Sequence, residues 1–218
     1  MKKILYSVAL AACCMGTITS CSDFLDASNK SNVTDKQTFA TKEGFNSLVN
    51  DAYQHLQNVY AAPLFTSCFS AGTDMYADAR NKMNEPLNTY ETLTPENEDI
   101  TDLYTYLYAG IRAANSVSYY AQTAQVDEKT KGQLVGEARV LAAYEYYLLV
   151  NNFGGVPIMK GFLTTAGTGY SKSSAEEVYA YIISELEDVI SKNALLASTA
   201  TKGGGRISQE TAKAILAK

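Results

Sequence analysis

Apolar residues recur at helical spacing in five separate segments of this chain, and this periodicity constrains the fold more than any other feature. Between Thr41 and Leu56 the apolar residues lie three or four positions apart, which places them on one face of a helix. Similar patterns predict helices over Glu98–Thr123 and Asp127–Asn151. The faces predicted to be buried are Phe45, Leu48, Val49, Ala52, Tyr53 and Leu56 in the first helix, and Leu103, Leu107, Ile111, Ala114 and Val117 in the second. No paired strand pattern is present. We therefore predict an all-α fold of antiparallel helix pairs joined by long loops, similar to tetratricopeptide (TPR) packing but without a regular repeat.

Local signals mark where the other helices begin and where loops interrupt the pattern. Two overlapping capping boxes, in which glutamate follows serine by three positions, predict a helix start within Ser173–Glu177. A last helix is expected near Ser208, after the glycine-rich break at residues 203–205. A short buried helix is expected within Leu64–Asp74. Ala77–Asn97 is expected to be a long loop, and long ordered loops often carry function.

The N-terminus has the composition of a targeting signal. Two lysines precede an apolar run over Ile4–Cys14, and small residues follow. This pattern is typical of a secretory signal peptide, and the run is shorter than the roughly 20 residues that a transmembrane helix needs. We assign residues 1–20 to a lipoprotein signal peptide and residues 21–38 to a lipidated tether and polar linker. Residues 39–218 are assigned to the helical domain.

The cysteines suggest a lipid anchor rather than a disulfide framework. Cys21 follows small residues and an isoleucine, as in a lipobox, whose cysteine is acylated and becomes the first residue of the mature chain. Cys13, preceded by LAA at positions 10–12, is closer to the strict pattern, but cleavage there would leave only about nine apolar residues in the signal. A cleaved signal without a lipid is the other alternative. If Cys21 is lipidated, Cys68 is alone in the mature chain, and we expect it to be a small buried apolar side chain.

Composition excludes several classes of function. The formal net charge is −5 and the pI is about 5.0, so the chain has no general attraction for nucleic acid. Its single histidine, His55, cannot supply the several imidazole ligands of a typical zinc or iron site. No phosphate-binding loop, nucleophile elbow or zinc-protease motif is present, so we expect no metal, no cofactor and no enzymatic activity.

Acidic pairs that could suggest a glycosidase are more simply helix starts and solvated helix faces: Glu96 with Glu98, Glu176 with Glu177, and Glu185 with Glu187. The tyrosine-rich run Tyr144–Tyr147 is more simply core packing than a stacking platform.

Five segments, in order along the chain, resemble motifs of one known family. CSDFLD at residues 21–26 is similar to the lipidated start of RagB/SusD (SusD-like) proteins, which often reads C-x-D-F-L-D. EARVLAAYEYYLLVNNFGGVP at residues 137–157 is similar to the family's E-A-R-x-L-R-A-x-x-Y-F-x-L-V-x-x-[FY]-G-x-V-P, with Ala143 near a position where arginine is common. Three further segments resemble family motifs: residues 108–115 (Y-x-x-I-x-x-x-N), residues 177–187 (E-V-Y-x-x-I-x-x-D-L-E) and residues 205–218 (G-R-x-[ST]-x-x-A-A-x-A-L-L-A-[KR]).

The resemblance implies a surface lipoprotein of the Bacteroidota outer membrane, facing the cell exterior and held by acyl chains such as palmitate on Cys21. It implies an α-helical fold in which four TPR-like helix pairs frame a more irregular region. It also implies nutrient uptake: such proteins sit over a TonB-dependent transporter of the SusC type and capture glycans or peptides. The expected partners are therefore the transporter, an oligosaccharide or other nutrient, and the membrane through the lipid, with no nucleic acid.

The resemblance also implies candidate ligand residues. Part of the family's site comes from the loop before the helix at residues 108–115, which makes Asn88 and Tyr90 candidate ligand-binding residues, followed by Asp74 and Tyr76. Ordinary loop roles are the alternative for all four. A second hypothesis is a TPR-like scaffold that docks to the transporter without binding a ligand. Since family members are usually much longer, we expect the chain to correspond to the N-terminal part of the fold, incomplete at the C-terminus, with a last helix that leaves an apolar face uncovered.

Overall fold

The computed structural model describes residues 35–61, 63–76, 85–165, 167–201 and 205–218, and all regular elements in these ranges are helices. They are α1 (Asp35–Ala40), α2 (Lys42–Tyr60), α3 (Leu64–Phe69), α4 (Glu85–Thr89), α5 (Glu98–Tyr120), α6 (Glu128–Phe153), α7 (Ala175–Lys192), α8 (Ser198–Thr201) and α9 (Gln209–Leu216). The predicted all-α fold is confirmed. The predicted signal peptide, the lipid site at Cys21 and most of the predicted linker lie outside the described residues.

The four long helices, α2, α5, α6 and α7, pack as successive antiparallel neighbours. Phe39, just before α2, contacts Tyr120 at the end of α5, with ring centroids 4.8 Å apart. Tyr104, near the start of α5, meets Phe153 at the end of α6 at 5.2 Å. Each pair therefore runs in opposite directions, as expected for antiparallel helix pairs.

The apolar faces predicted from helical spacing form the core. Phe45, Val49 and Ala52 of α2 are completely buried, while Tyr53 and Leu56 at the edge of that face are half-buried. All five residues named for the second helix are buried in α5. Helix α6 buries side chains around most of its circumference because it contacts α2, α5 and α7 together. Among the described residues, no helix is both long and apolar enough to cross a membrane.

Side-chain caps start the long helices where the sequence predicts them. The Thr41 hydroxyl accepts a hydrogen bond from the backbone N–H of Gly44 (3.1 Å) at the start of α2. Of the two overlapping capping boxes, the structure uses Ser174 with Glu177: the serine hydroxyl accepts from the Glu177 N–H, and the glutamate carboxylate accepts from the Ser174 N–H. Ser208 caps α9 in the same way through Thr211. These caps satisfy backbone donors that an unprotected first turn leaves free.

The segment between α2 and α5 differs in part from its prediction. The short helix expected within Leu64–Asp74 is present as α3 and ends at Phe69, just before the turn in which Gly72 adopts a positive φ of 75°. Ala77–Asn97 is not a continuous loop, since α4 forms one turn within it with Pro86 at its second position. A proline is tolerated there because the first turn has no N–H to lose from the hydrogen-bond ladder. Helix α1 begins at Asp35 and so occupies the last residues of the expected linker.

A buried carboxylate fastens the C-terminal segment to the core. Glu137 of α6 is completely buried and accepts hydrogen bonds from the Tyr53 hydroxyl (2.9 Å) and the Gln133 amide (3.0 Å). Arg206 forms an ion pair with it at 2.7 Å. The Tyr53 hydroxyl in turn accepts from the backbone N–H of Ile207 (2.8 Å). We call these five residues the Glu137 strap. It holds the chain just before α9, which packs against α7.

Candidate functional site

Asn88 and Tyr90 lie where the end of α4 meets the turn that follows α3. The side-chain Oδ1 of Asn88 accepts from the backbone N–H of Gly72, and the Tyr90 hydroxyl donates to the backbone carbonyl of Gly72, each at 3.5 Å. A Cβ at position 72 would collide with the Tyr90 phenol and with the carbonyl of Leu87. The close approach of these two segments therefore requires glycine at position 72.

Tyr90 has a backbone conformation that tyrosine rarely adopts. Its φ is +63°, in the left-handed region, and its side chain is 59% exposed. Holding a non-glycine residue there costs on the order of 1–3 kcal/mol, and such strain is found most often at functional sites. A large aromatic ring in a strained conformation at the surface gains little from burial, so the position points to a role in binding.

A cavity of about 400 Å³ opens beside Tyr90. Its wall includes Leu103 of α5, Phe153 of α6 and Cys68 of α3. Burial, together with the negative charges of Asp99 and Asp102, raises the pKa of the Cys68 thiol to about 12. The thiol is therefore neutral at physiological pH and is not an activated nucleophile. It is half-buried, rather than fully buried as expected from the sequence. The cavity wall mixes apolar side chains with the polar Ser67 and Asn152, and Tyr90 lines it from the exposed side, a combination that suits a small-ligand pocket.

Asp74 and Tyr76 lie on the same turn as Gly72 but further from this cavity's wall. Asp74 is exposed, and the backbone N–H of Tyr76 donates to the Thr73 carbonyl at 3.4 Å. Within the described residues, no hydrogen bond or ring contact joins either side chain to Tyr90. The structure thus brings Asn88 and Tyr90 together through the Gly72 turn and leaves Asp74 and Tyr76 at its edge.

The tyrosine-rich run of α6 serves packing on two sides. Tyr146 is buried, and its hydroxyl accepts from the backbone N–H of Met159 at 2.6 Å. Tyr144 and Tyr147 are half-buried and stack on each other, with ring centroids 6.1 Å apart.

His55, half-buried on α2, lies 3.9 Å from Asp51. In the ranges that the structure describes, no group of metal-binding side chains is assembled around His55 or elsewhere.

The loop after α6, between Phe153 and Ala175, is hydrogen-bonded to α5. The Tyr108 hydroxyl donates to the Pro157 carbonyl at 2.7 Å. The Asn115 amide donates to the carbonyls of Met159 (2.9 Å) and Gly161 (3.2 Å). Both side chains belong to the YAGIRAAN motif. That motif therefore fixes the path of the loop rather than only packing helix against helix.

A second cavity, of about 370 Å³, lies between α5 and this loop. Arg112 of α5 lines one side, and Thr164, Thr165 and Tyr170 of the loop line the other. The sequence analysis did not anticipate it. One signal was present: Arg112 is the only charged residue between Asp102 and Asp127. Arg112 is exposed where it lines the cavity, and it is the single charge on this part of α5.

Comparison with known proteins now decides the family. The SusD-like family model described as "Starch-binding associating with outer membrane" matches residues 23–218. The chain belongs to the SusD-like family. SusD-like proteins are binding proteins and not enzymes, in agreement with the expectation from the sequence.

Individual SusD-like relatives match most of this chain but less than half of their own length. A curated SusD-like protein P38 from Formosa agariphila is 27% identical over 179 residues, which are 80% of this chain and 34% of the relative. Surface glycan-binding protein A from Bacteroides uniformis has a TM-score of 0.68 at 25% identity, covering 80% of this chain and 40% of its own. Surface glycan-binding protein A from Bacteroides thetaiotaomicron, solved with laminarihexaose, has a TM-score of 0.66 at 22% identity, covering 81% and 38%.

Proposed function

We propose that this chain captures a glycan at the cell surface and delivers it to a TonB-dependent transporter of the SusC type. The proposal includes an outer-membrane location facing the exterior, with a lipid on Cys21 as the anchor. It is supported by membership of a family described by starch binding and outer-membrane association. Relatives of similar fold are named for surface glycan binding, and one was solved with laminarihexaose.

One observation links the proposal to particular residues: Tyr90, exposed and in a strained backbone conformation, lines the cavity beside it, which we call the Tyr90 cavity. The face of a phenol ring is electron-rich and makes favourable contact with the C–H groups on one face of a pyranose. The Asn88 amide lies next to it and has donors that can reach sugar hydroxyls. An apolar platform with a few oriented polar groups is the usual composition of a small-molecule site. Asp74 and Tyr76, on the same turn, are proposed as peripheral contacts to a longer glycan.

Tyr90→Gly tests this site sharply, because glycine favours the left-handed backbone and so removes the ring together with the strain. The purified chain is titrated calorimetrically with maltoheptaose and with laminarihexaose. We expect at least one of them to bind, and Tyr90→Gly to weaken that binding by about tenfold through loss of the ring contact. The variant should melt no lower than the original chain.

Tyr179→Ala is the matched control, since Tyr179 is another exposed tyrosine but lies on α7. It should leave the affinity unchanged. If neither glycan binds, or if Tyr90→Gly binds as tightly as the original chain, this site is not the glycan site. Capture of the SusC-type transporter in a pull-down by a chain that binds no glycan would instead favour the scaffold hypothesis.

A further inference from the structure

The Arg112 cavity, defined by Arg112, Asn115, Thr164, Thr165 and Tyr170, is separate from the Tyr90 cavity. Its walls are α5 and the loop after α6, whereas the Tyr90 cavity is walled by α3, α4 and the ends of α5 and α6. Its volume of about 370 Å³ falls in the range of roughly 300–1,000 Å³ that is usual for small-ligand sites. A site of this size accommodates one or two sugar rings.

The guanidinium of Arg112 is held in place but forms no ion pair in the described part of the chain, although Asp35 of α1 acts electrostatically on a neighbour that they share, Tyr120. The Cζ of Arg112 lies 5.1 Å from the centroid of the Phe162 ring, a cation–π contact that holds the group without neutralising it. Within the described residues Arg112 donates no hydrogen bond to another group, so its five N–H donors are available to bind an anion.

The two segments that line the cavity have a charge pattern opposite to that of the whole chain. Residues 103–126, which include most of α5, contain Arg112 and no acidic residue. Residues 146–175, which include the loop, contain Lys160 and Lys172 and again no acidic residue. The two segments that form the cavity therefore carry only positive charge, within a chain whose net charge is −5. Such a local excess attracts an anion.

The remaining lining groups suit a sugar. Tyr170 is 47% exposed, and its phenol packs so closely on Gly167 that a Cβ there would collide with it. Thr164 and Thr165 line the same cavity, and a threonine hydroxyl can both donate and accept hydrogen bonds. The cavity wall is preformed, because the Asn115 amide binds the carbonyls of Met159 and Gly161. Preorganised walls lower the entropy lost on binding.

We propose that the Arg112 cavity binds an acidic sugar residue, with the guanidinium paired to a sugar carboxylate or sulfate and the ring lying against Tyr170. The proposal rests on the proposed glycan-binding function and adds a second, charge-selective subsite to it. Arginine pairs with carboxylate and sulfate oxygens through two parallel, charge-assisted hydrogen bonds, which are about twice as strong as neutral ones. The cavity would thus select acidic over neutral glycans.

Three sugars that differ only at C6 test the selectivity of the cavity for acidic sugars: glucuronate, glucose 6-sulfate and glucose. Backbone amide shifts of the purified chain are titrated with each. We expect at least one acidic sugar to bind about tenfold more tightly than glucose, as charge-assisted bonds imply, with the shifts centred on residues 161–170. The stronger of the two acidic probes identifies carboxylate or sulfate as the recognised group. Equal binding of all three sugars, or shifts centred elsewhere, would overturn the proposal.

Single substitutions distinguish the role of the Arg112 charge from a general effect on the fold. Arg112→Gln should abolish the preference for the acidic sugars, whereas Lys129→Gln, which removes an exposed charge at the start of α6, should keep it. Tyr170 lies on the exposed loop, and Tyr170→Ala should weaken the binding of all three sugars to a similar extent. An unchanged preference in Arg112→Gln sinks the proposal. If maltoheptaose or laminarihexaose still binds through Tyr90 while the acidic sugars fail, only this proposal falls. If the acidic sugars bind while Tyr90→Gly has no effect, the Tyr90 site falls instead.

Discussion

At the scale of single residues, Glu145 is the group least compatible with its surroundings. It is completely buried on α6, and neither carboxylate oxygen has a hydrogen-bond partner in the described part of the chain. Its carboxyl group lies against Gly110 of α5, where any Cβ would collide with it. Burial raises the pKa of Glu145 well above its usual value, so the side chain is held as a neutral acid. Glutamate at position 145 therefore requires glycine at position 110.

Glu145→Met should stabilise the protein, and more so at higher pH. In the unfolded chain Glu145 releases its proton above a pKa of about 4.3, while the folded chain retains it. The unfolded state is therefore favoured progressively as the pH rises above that value, up to the raised folded pKa. Methionine has a similar volume and removes both this pH dependence and the burial of an unpartnered polar group, worth about 2 kcal/mol.

Urea unfolding at pH 4, 6 and 8 measures this effect. The gain in unfolding free energy for Glu145→Met should be smallest at pH 4 and should grow with pH. Glu187→Met, on the exposed face of α7, is the control and should show no such growth. A loss of stability in Glu145→Met at pH 8 would mean that the carboxyl has a stabilising partner.

At the scale of helices, the Glu137 strap connects the two ends of the described chain. It links Tyr53 of α2, Glu137 of α6 and Arg206 just before α9. Burial is the main cause of the raised pKa of Tyr53, so its hydroxyl stays protonated and can donate to the carboxylate. Arg206 supplies the positive charge that pairs with a fully buried carboxylate. Removal of that charge should therefore disrupt the other contacts of the Glu137 strap as well.

Arg206→Ala should destabilise the protein by about 3 kcal/mol, because it leaves an uncompensated charge at a buried site. Adding Glu137→Gln to that variant should recover part of the loss, since the amide carries no charge. Chemical denaturation of the two single variants and the double variant gives the coupling energy. Lys213→Ala, which removes an exposed cation from α9, is the control and should shift the midpoint little. Simple additivity in the cycle would show that Arg206 and Glu137 do not interact.

The helices also show which features of the fold can be predicted from the sequence alone. The caps at Thr41 and Ser174 and the buried faces of the long helices were predictable, because each depends on residues within one or two turns. The single turn of α4 was not, since five residues form a helix only when tertiary contacts hold them. The resemblance supplied Asn88 and Tyr90, but their shared contact is Gly72, sixteen or more positions away. Nothing local to either residue encodes that contact.

At the scale of the whole molecule, attachment to the membrane is proposed to depend on one thiol. Cys21 is the preferred lipid site and Cys13 its rival in the sequence. Each buried methylene of an acyl chain contributes about 0.8 kcal/mol to membrane binding, so loss of the lipid should release the protein. The two cysteines lie close enough in the chain that only substitution distinguishes them.

Cys21→Ala should move the protein from the membrane fraction to the soluble fraction and abolish incorporation of labelled palmitate, since alanine offers no thiol to acylate. Cys13→Ala should change neither, because alanine preserves the apolar character of the signal. Both variants are expressed in a host with the lipoprotein pathway, and fractionation and labelling are measured on the same cells. The reverse pattern would assign the anchor to Cys13. No labelling of the original chain would favour a cleaved signal without a lipid, and delivery to the transporter would then have to rely on protein contacts alone.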